Sequence, residues 1–123
     1  MTFASLIRTA PIALALSLAL LGPLPASAQT ITADNVGEMA ANAKTAADHT
    51  AIAAYFHEQA KAAMAQVQKH RAMLATPMGN KPSGSVWDAH CRRLIKSYQE
   101  QAEAYSDLAK EQEVLAKHVA ETH

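Results

Sequence analysis

The chain has 123 residues, and its eleven basic and eleven acidic side chains give a formal net charge of zero. This length fits one small domain, and the single cysteine, Cys91, excludes an internal disulfide. Alanine is abundant, aromatic residues are scarce and strand-like alternation is absent, so the sequence predicts an all-α fold. No nucleic-acid partner is expected.

Residues 1–28 are typical of a secretory signal peptide. Arg8 is the only charge before Asp34, an apolar run covers residues 11–21, and residues 26–28 read Ala-Ser-Ala, the small-x-small pattern of a signal peptidase site. The apolar run is too short to span a membrane comfortably. We therefore expect export to the periplasm, cleavage after Ala28 and no stable membrane insertion of the mature chain; an uncleaved anchor is the alternative.

Residues 29–44 predict a short N-terminal helix and a linker, with Thr32 or Asp34 as the helix cap. Residues 45–48 read Thr-Ala-Ala-Asp, which fits a capping box. The helical pattern from 33 to 75 is therefore either two helices divided near Thr45 or one continuous helix. From about Ala46 to Ala75, a coiled-coil seam repeats at spacings of three and four residues: Ala53, Phe56, Ala60, Ala63, Val67, His70, Leu74.

Residues 45–123 predict an antiparallel helical hairpin. Residues 76–85 hold two prolines and two glycines and form its loop. A second capping box over residues 85–88 starts a helix that continues to about Glu121. The predicted seam of this helix comprises Trp87, Cys91, Leu94, Tyr98, Gln101, Tyr105, Leu108, Gln112, Leu115 and Val119. A row at seven-residue intervals beside the seam widens the apolar stripe: Ile95, Ala102, Ala109 and Ala116.

The two long helices have a thin core and an uneven charge. Alanine buries little apolar area, so a hairpin of this composition does not easily offset its ordering entropy. We expect self-association into a dimer or four-helix bundle; the short first helix covering the open end is the alternative. Residues 61–96 carry seven basic side chains and one acidic, whereas the rest of residues 29–123 carries three basic and ten acidic.

The closed end of the predicted hairpin collects ligands for a soft metal. Antiparallel pairing about residues 80 and 81 brings His70 opposite Cys91; Met73 lies one turn beyond His70, and His90 points about 100° away from Cys91. Thiolate, imidazole and thioether suit copper(I), and thiolate with imidazoles suits zinc. Alternatively Cys91 is a small buried hydrophobe, or a thiolate made reactive by nearby arginines.

Motifs of common catalytic sites are absent from the sequence. There is no C-x-x-C-H, no H-E-x-x-H, no Glu-x-x-His pair, no Gly-rich phosphate loop and no nucleophile elbow. We expect the protein not to be an enzyme. The remaining functional alternatives are a soft-metal site and a structural, interaction or chaperone-like module without metal.

Short motifs give the chain a resemblance to known proteins. They are Asp48-His49, Ala53-Ala54-Tyr55-Phe56, His70-Arg71-Ala72-Met73, and His90-Cys91 followed by Leu94 and Tyr98. Over about residues 45–118 the chain is similar to small exported α-helical proteins of proteobacteria, whose function is generally unassigned. That resemblance implies export and a helical hairpin. In size and compartment the chain also resembles periplasmic helical chaperones of the Spy type, although their L-T-x-x-Q motif is absent.

Overall fold

The computed structural model describes residues 29–76 and 85–122, which contain three helices and no strand. Helix α1 spans Val36–Asn42, α2 spans Ala46–Ala75 and α3 spans Val86–Thr122. Helices α2 and α3 pack along each other in antiparallel directions, and α1 packs against α2 alone among these helices. The predicted all-α fold with a short N-terminal helix and a long hairpin is therefore confirmed. The predicted signal peptide, and residues 77–84 of the predicted loop, lie outside the described residues.

The start of α1 differs from the prediction. Its N-cap is Asn35, not Thr32 or Asp34, and the Asn35 side chain makes no bond to the helix amides. Instead its Oδ1 accepts from the Thr32 amide at 2.8 Å and its Nδ2 donates to the Thr30 carbonyl at 2.9 Å. Asparagine readily makes such local backbone bonds, and here they close a turn that precedes the helix.

The capping box predicted for α2 is confirmed and explains where the helix begins. Thr45 Oγ1 accepts from the Asp48 amide at 3.1 Å, while Asp48 Oδ2 accepts from the Thr45 amide at 2.9 Å. The backbone at Ala43 is extended, so residues 33–75 form two helices. At the other end, Thr76 is extended because the residue before a proline is pushed out of helical geometry.

The core of the hairpin is a seam of alternating four- and three-residue steps on both helices. On α2 the buried and partly buried seam residues are His49, Ala53, Phe56, Ala60, Ala63, Val67, His70 and Leu74. On α3 they are Cys91, Ile95, Tyr98, Ala102, Tyr105, Ala109, Gln112, Ala116 and Val119. This is the pattern of a coiled coil.

The prediction for α3 placed part of the seam on the wrong side of the helix. Gln101, Leu108 and Leu115 are exposed, whereas the alanines at 102, 109 and 116, expected only to widen the stripe, are buried. Small side chains at the line of contact let two helices approach closely, and larger ones there would force them apart. The leucines therefore lie beside the contact instead of within it.

Among the described helices, none combines the length and the apolar composition that a membrane span requires.

Helix α1 covers one side of α2 near the open end of the hairpin. Met39 and Ala43 line a groove there with Ala51 and Ile52. Ile52 is consequently buried although it lies beside the hairpin seam.

Candidate functional site

A buried polar pair joins the two long helices near the open end. The His49 Nδ1 and Gln112 Oε1 atoms are 2.8 Å apart, and both residues are buried. The Gln112 amide oxygen can only accept, so His49 Nδ1–H is the donor. The sequence placed Gln112 in the predicted α3 seam but did not predict that it meets His49.

Repeated seven-residue steps along both helices lead from this pair to the predicted metal site. One step from the pair, the Phe56 and Tyr105 rings stack with their centroids 6.2 Å apart. A further two steps on each helix arrive at His70 and Cys91. The contacting pairs His49–Gln112 and Phe56–Tyr105 are thus the pairs expected for a hairpin whose midpoint lies at residues 80 and 81.

His70 has an aromatic partner. Its ring stacks on the Tyr98 ring at a centroid distance of 5.8 Å and an interplanar angle of 13°. Side chains on a helix lean toward its N-terminus, so His70 leans toward the open end and Tyr98 leans toward the loop. The Nδ1 atom of His70 is buried and has no hydrogen-bond partner among the described residues.

The other predicted ligands have different environments. Cys91 is fully buried with a free thiol, and Met73 is partly buried. His90 is exposed in a shallow surface depression beside Arg93. Over residues 29–76 and 85–122, no group of three or more His, Cys, Asp and Glu side chains is placed to hold a metal ion.

One face of the hairpin carries no charged side chain at its central positions. We call it the uncharged face and define it by two rows of seven-residue repeats on the same side of the seam. The α2 row is Gln59, Gln66 and Met73, and the α3 row is Trp87, Leu94, Gln101, Leu108 and Leu115. A groove between the rows is lined by Gln59, Gln66 and Gln101 together with Tyr98 and Tyr105.

The α3 row of the uncharged face leaves large apolar side chains in water. Trp87 is 38% exposed, Leu108 is 39% exposed and Leu115 is 37% exposed. Because α1 packs against α2 and not against α3, it does not cover them. Apolar residues recurring at one row of a helix, beside its main contact, are typical of a bundle helix with a second neighbour.

The opposite side of the hairpin is different in character. There the exposed His57 Nε2 and Glu113 Oε1 atoms are 2.6 Å apart, and the groove between the helices is lined in part by Lys61 and Glu103. Met64 is the large apolar residue exposed on this side. Charged groups favour contact with water, so this side is suited to solvent.

Comparisons with protein-family models, with curated proteins and with solved structures give no match for this chain. The resemblance carried by the short motifs therefore stays a prediction.

Proposed function

We propose that the protein is a non-catalytic helical interaction module that binds a partner helix through its uncharged face. The observation that carries this proposal is the exposure of Leu108 and Leu115 beside a seam filled by alanines. Covering these leucines removes apolar surface from water, which contributes roughly 25 cal/mol per Å². The alanine seam supplies little of this stabilisation itself, because alanine has only one methyl group to bury.

Site-specific photo-crosslinking in cells that produce the protein tests this function. A benzophenone amino acid replacing Leu108 should give a discrete protein adduct, identified by mass spectrometry. The same amino acid replacing Val114 serves as the control, because Val114 is 67% exposed on α3 but lies off the uncharged face. Absence of an adduct at position 108, or equal adducts at both positions, would contradict an interaction through this face.

The proposed place of action is the periplasm, after removal of residues 1–28 as a signal peptide. Support comes from the apolar run and from the Ala26-Ser27-Ala28 site in the sequence. The intact mass of the exported protein is the test. A chain that begins at Gln29 is expected, and a mass that still includes residues 1–28 would overturn the proposal.

A second candidate function, binding of a soft metal at the closed end, is favoured by one specific observation. His70 Nδ1 is a buried nitrogen without a hydrogen-bond partner among the described residues, and such an atom is normally satisfied. Cys91 lies on the same seam, and Met73 is one turn from His70. Imidazole, thiolate and thioether would together suit copper(I), and His90 would serve as a further ligand for zinc from the rim of the site or from a partner subunit.

Metal titration of the reduced protein tests the second candidate. A metal that binds only the folded chain at a hundredfold excess over its Kd adds about 2.7 kcal/mol to the free energy of unfolding, so the melting temperature should rise. Cys91→Ser and His70→Ala should each abolish that rise, while His118→Ala, at an exposed position, should retain it. If copper(I) and zinc leave the melting temperature unchanged and no metal remains after dialysis, the chain has no such site.

A further inference from the structure

The α3 row of the uncharged face is symmetric about its centre. Gln101 is the middle residue, Leu94 and Leu108 lie seven residues to either side, and Trp87 and Leu115 lie fourteen residues away. At 1.5 Å per residue the row is about 42 Å long. Read in either direction, it presents two large apolar side chains, one glutamine and two large apolar side chains.

Such a row is complementary to a second copy of itself. We propose that two copies of the chain pair along α3 in antiparallel directions, with Gln101 at a two-fold axis. This inference rests on the proposed interaction function and names its partner. Each Leu94 then packs against Leu108 of the other copy, and each Trp87 packs against Leu115.

The charge along α3 supports the antiparallel direction. Residues 86–99 carry three basic side chains and one acidic, whereas residues 100–122 carry two basic and six acidic. Antiparallel pairing sets the positive half of each α3 against the negative half of the other, and parallel pairing would align like charges. Opposed charges of this kind steer association and fix orientation.

The glutamine at the centre sets the register of the pairing. A glutamine amide both donates and accepts, so Gln101 of one copy can bond Gln101 of the other across the axis. A shift by one seven-residue step would place Gln101 against a leucine and leave its amide unpaired. Single polar residues in apolar seams specify coiled-coil register in this way.

The exposure of the α3 row also supports pairing of two copies along it. Helix α1 covers α2 near the open end and does not contact α3. Among the described residues, Trp87, Leu108 and Leu115 are therefore left exposed, and Leu94 is partly buried. The opposite side of the hairpin, with the exposed His57–Glu113 pair, remains in water in the paired form.

Disulfide crosslinking of purified mature protein tests the axis and the direction together. Each cysteine is introduced into two backgrounds. One background retains Cys91, whose thiol is fully buried, and the other carries Cys91→Ala. Gln101→Cys should crosslink to itself. Leu94→Cys and Leu108→Cys should each stay uncrosslinked alone, and should form a mixed disulfide when the two variant proteins are mixed. Val114→Cys should give only background crosslinking. Circular dichroism of every variant verifies that the helices remain folded.

The outcomes separate the proposal from its alternatives. If Leu94→Cys and Leu108→Cys each crosslink to themselves, the copies are parallel and the antiparallel assignment is overturned. If none of the folded variants exceeds the Val114→Cys background, the chain does not pair along this row. In that last case an adduct of the benzophenone residue at position 108 with another protein would leave the interaction function standing, and absence of that adduct would remove both.

Discussion

The buried hydrogen bond between His49 and Gln112 leads to a quantitative prediction about stability. Replacing Gln112 with alanine leaves the His49 Nδ1–H without its acceptor at a site where His49 is 8% exposed. Leaving a buried donor unsatisfied costs about 1–3 kcal/mol. For a domain of this size, each kcal/mol lowers the melting temperature by roughly 4–8 °C. Gln112→Ala should therefore melt clearly below wild type in thermal denaturation at matched protein concentration.

A double-mutant cycle isolates the pair from other effects of the substitution. His49→Ala, Gln112→Ala and the double variant should show a coupling energy of about 0.5–3 kcal/mol, as residues in direct contact do. Gln68→Ala is the matched control, since Gln68 is exposed on α2, and should change stability by no more than about 0.5 kcal/mol. A cost for Gln112→Ala equal to that of the control, or additive single effects, would refute the role assigned to this bond.

Two further predictions concern the seam and the start of α2. Ala109 is fully buried at the contact line, so Ala109→Leu should cost about 1–3 kcal/mol by overpacking; exposed Ala104→Leu should be nearly neutral in the same denaturant titration, and equal costs would place Ala109 outside the contact. Hydrogen bonds from the Lys44 and Thr45 amides hold the pKa of Asp48 below its ordinary value of 3.8. The stability that this cap supplies is present above that value and is lost as pH falls through the lowered folded pKa, so Asp48→Asn should flatten the acid limb of stability against pH, and an unchanged limb would contradict it.

Local signals in the sequence predicted the bounds of α2. A hydroxyl and a carboxylate three residues apart suffice for a capping box, and a proline suffices to end a helix, so the range Ala46–Ala75 follows from residues near each end. The predicted cap of α1, Thr32 or Asp34, was wrong: the N-cap is Asn35, whose side chain bonds to backbone groups that precede the helix. Several polar residues lie within that short segment, and sequence spacing does not decide among them.

Periodicity alone could not assign the centre of the α3 seam. Leu108 and Ala109 are adjacent, both recur at seven-residue intervals in their rows, and hydrophobicity favours leucine. The structure buries Ala109 because the distance between the helices is set by the smallest residues at the contact. A pattern on one helix contains no information about how closely its partner approaches.

At the candidate metal site, the sequence predicts which levels of the two helices pair but not how each side chain is oriented. The midpoint of the loop predicts a pairing order with His70 opposite Cys91, and seven-residue steps from that predicted pair lead to His49 and Gln112, which are hydrogen-bonded. Those steps were the signal that could have predicted the buried hydrogen bond. The stacking of His70 on Tyr98 depends on how each side chain leans along its helix, which spacing does not specify.

The most direct test of the proposed pairing of two copies along α3 is the mass of the chain from Gln29 to His123 in sedimentation equilibrium over a range of concentrations. Wild type should pass from one chain to two as concentration rises. Leu108→Glu, which would bury a carboxylate in the apolar row, should stay at one chain, while Val114→Glu, at an exposed position off the row, should behave as wild type. A wild-type chain that remains single at all concentrations, or a Leu108→Glu variant that associates as wild type does, would contradict the account.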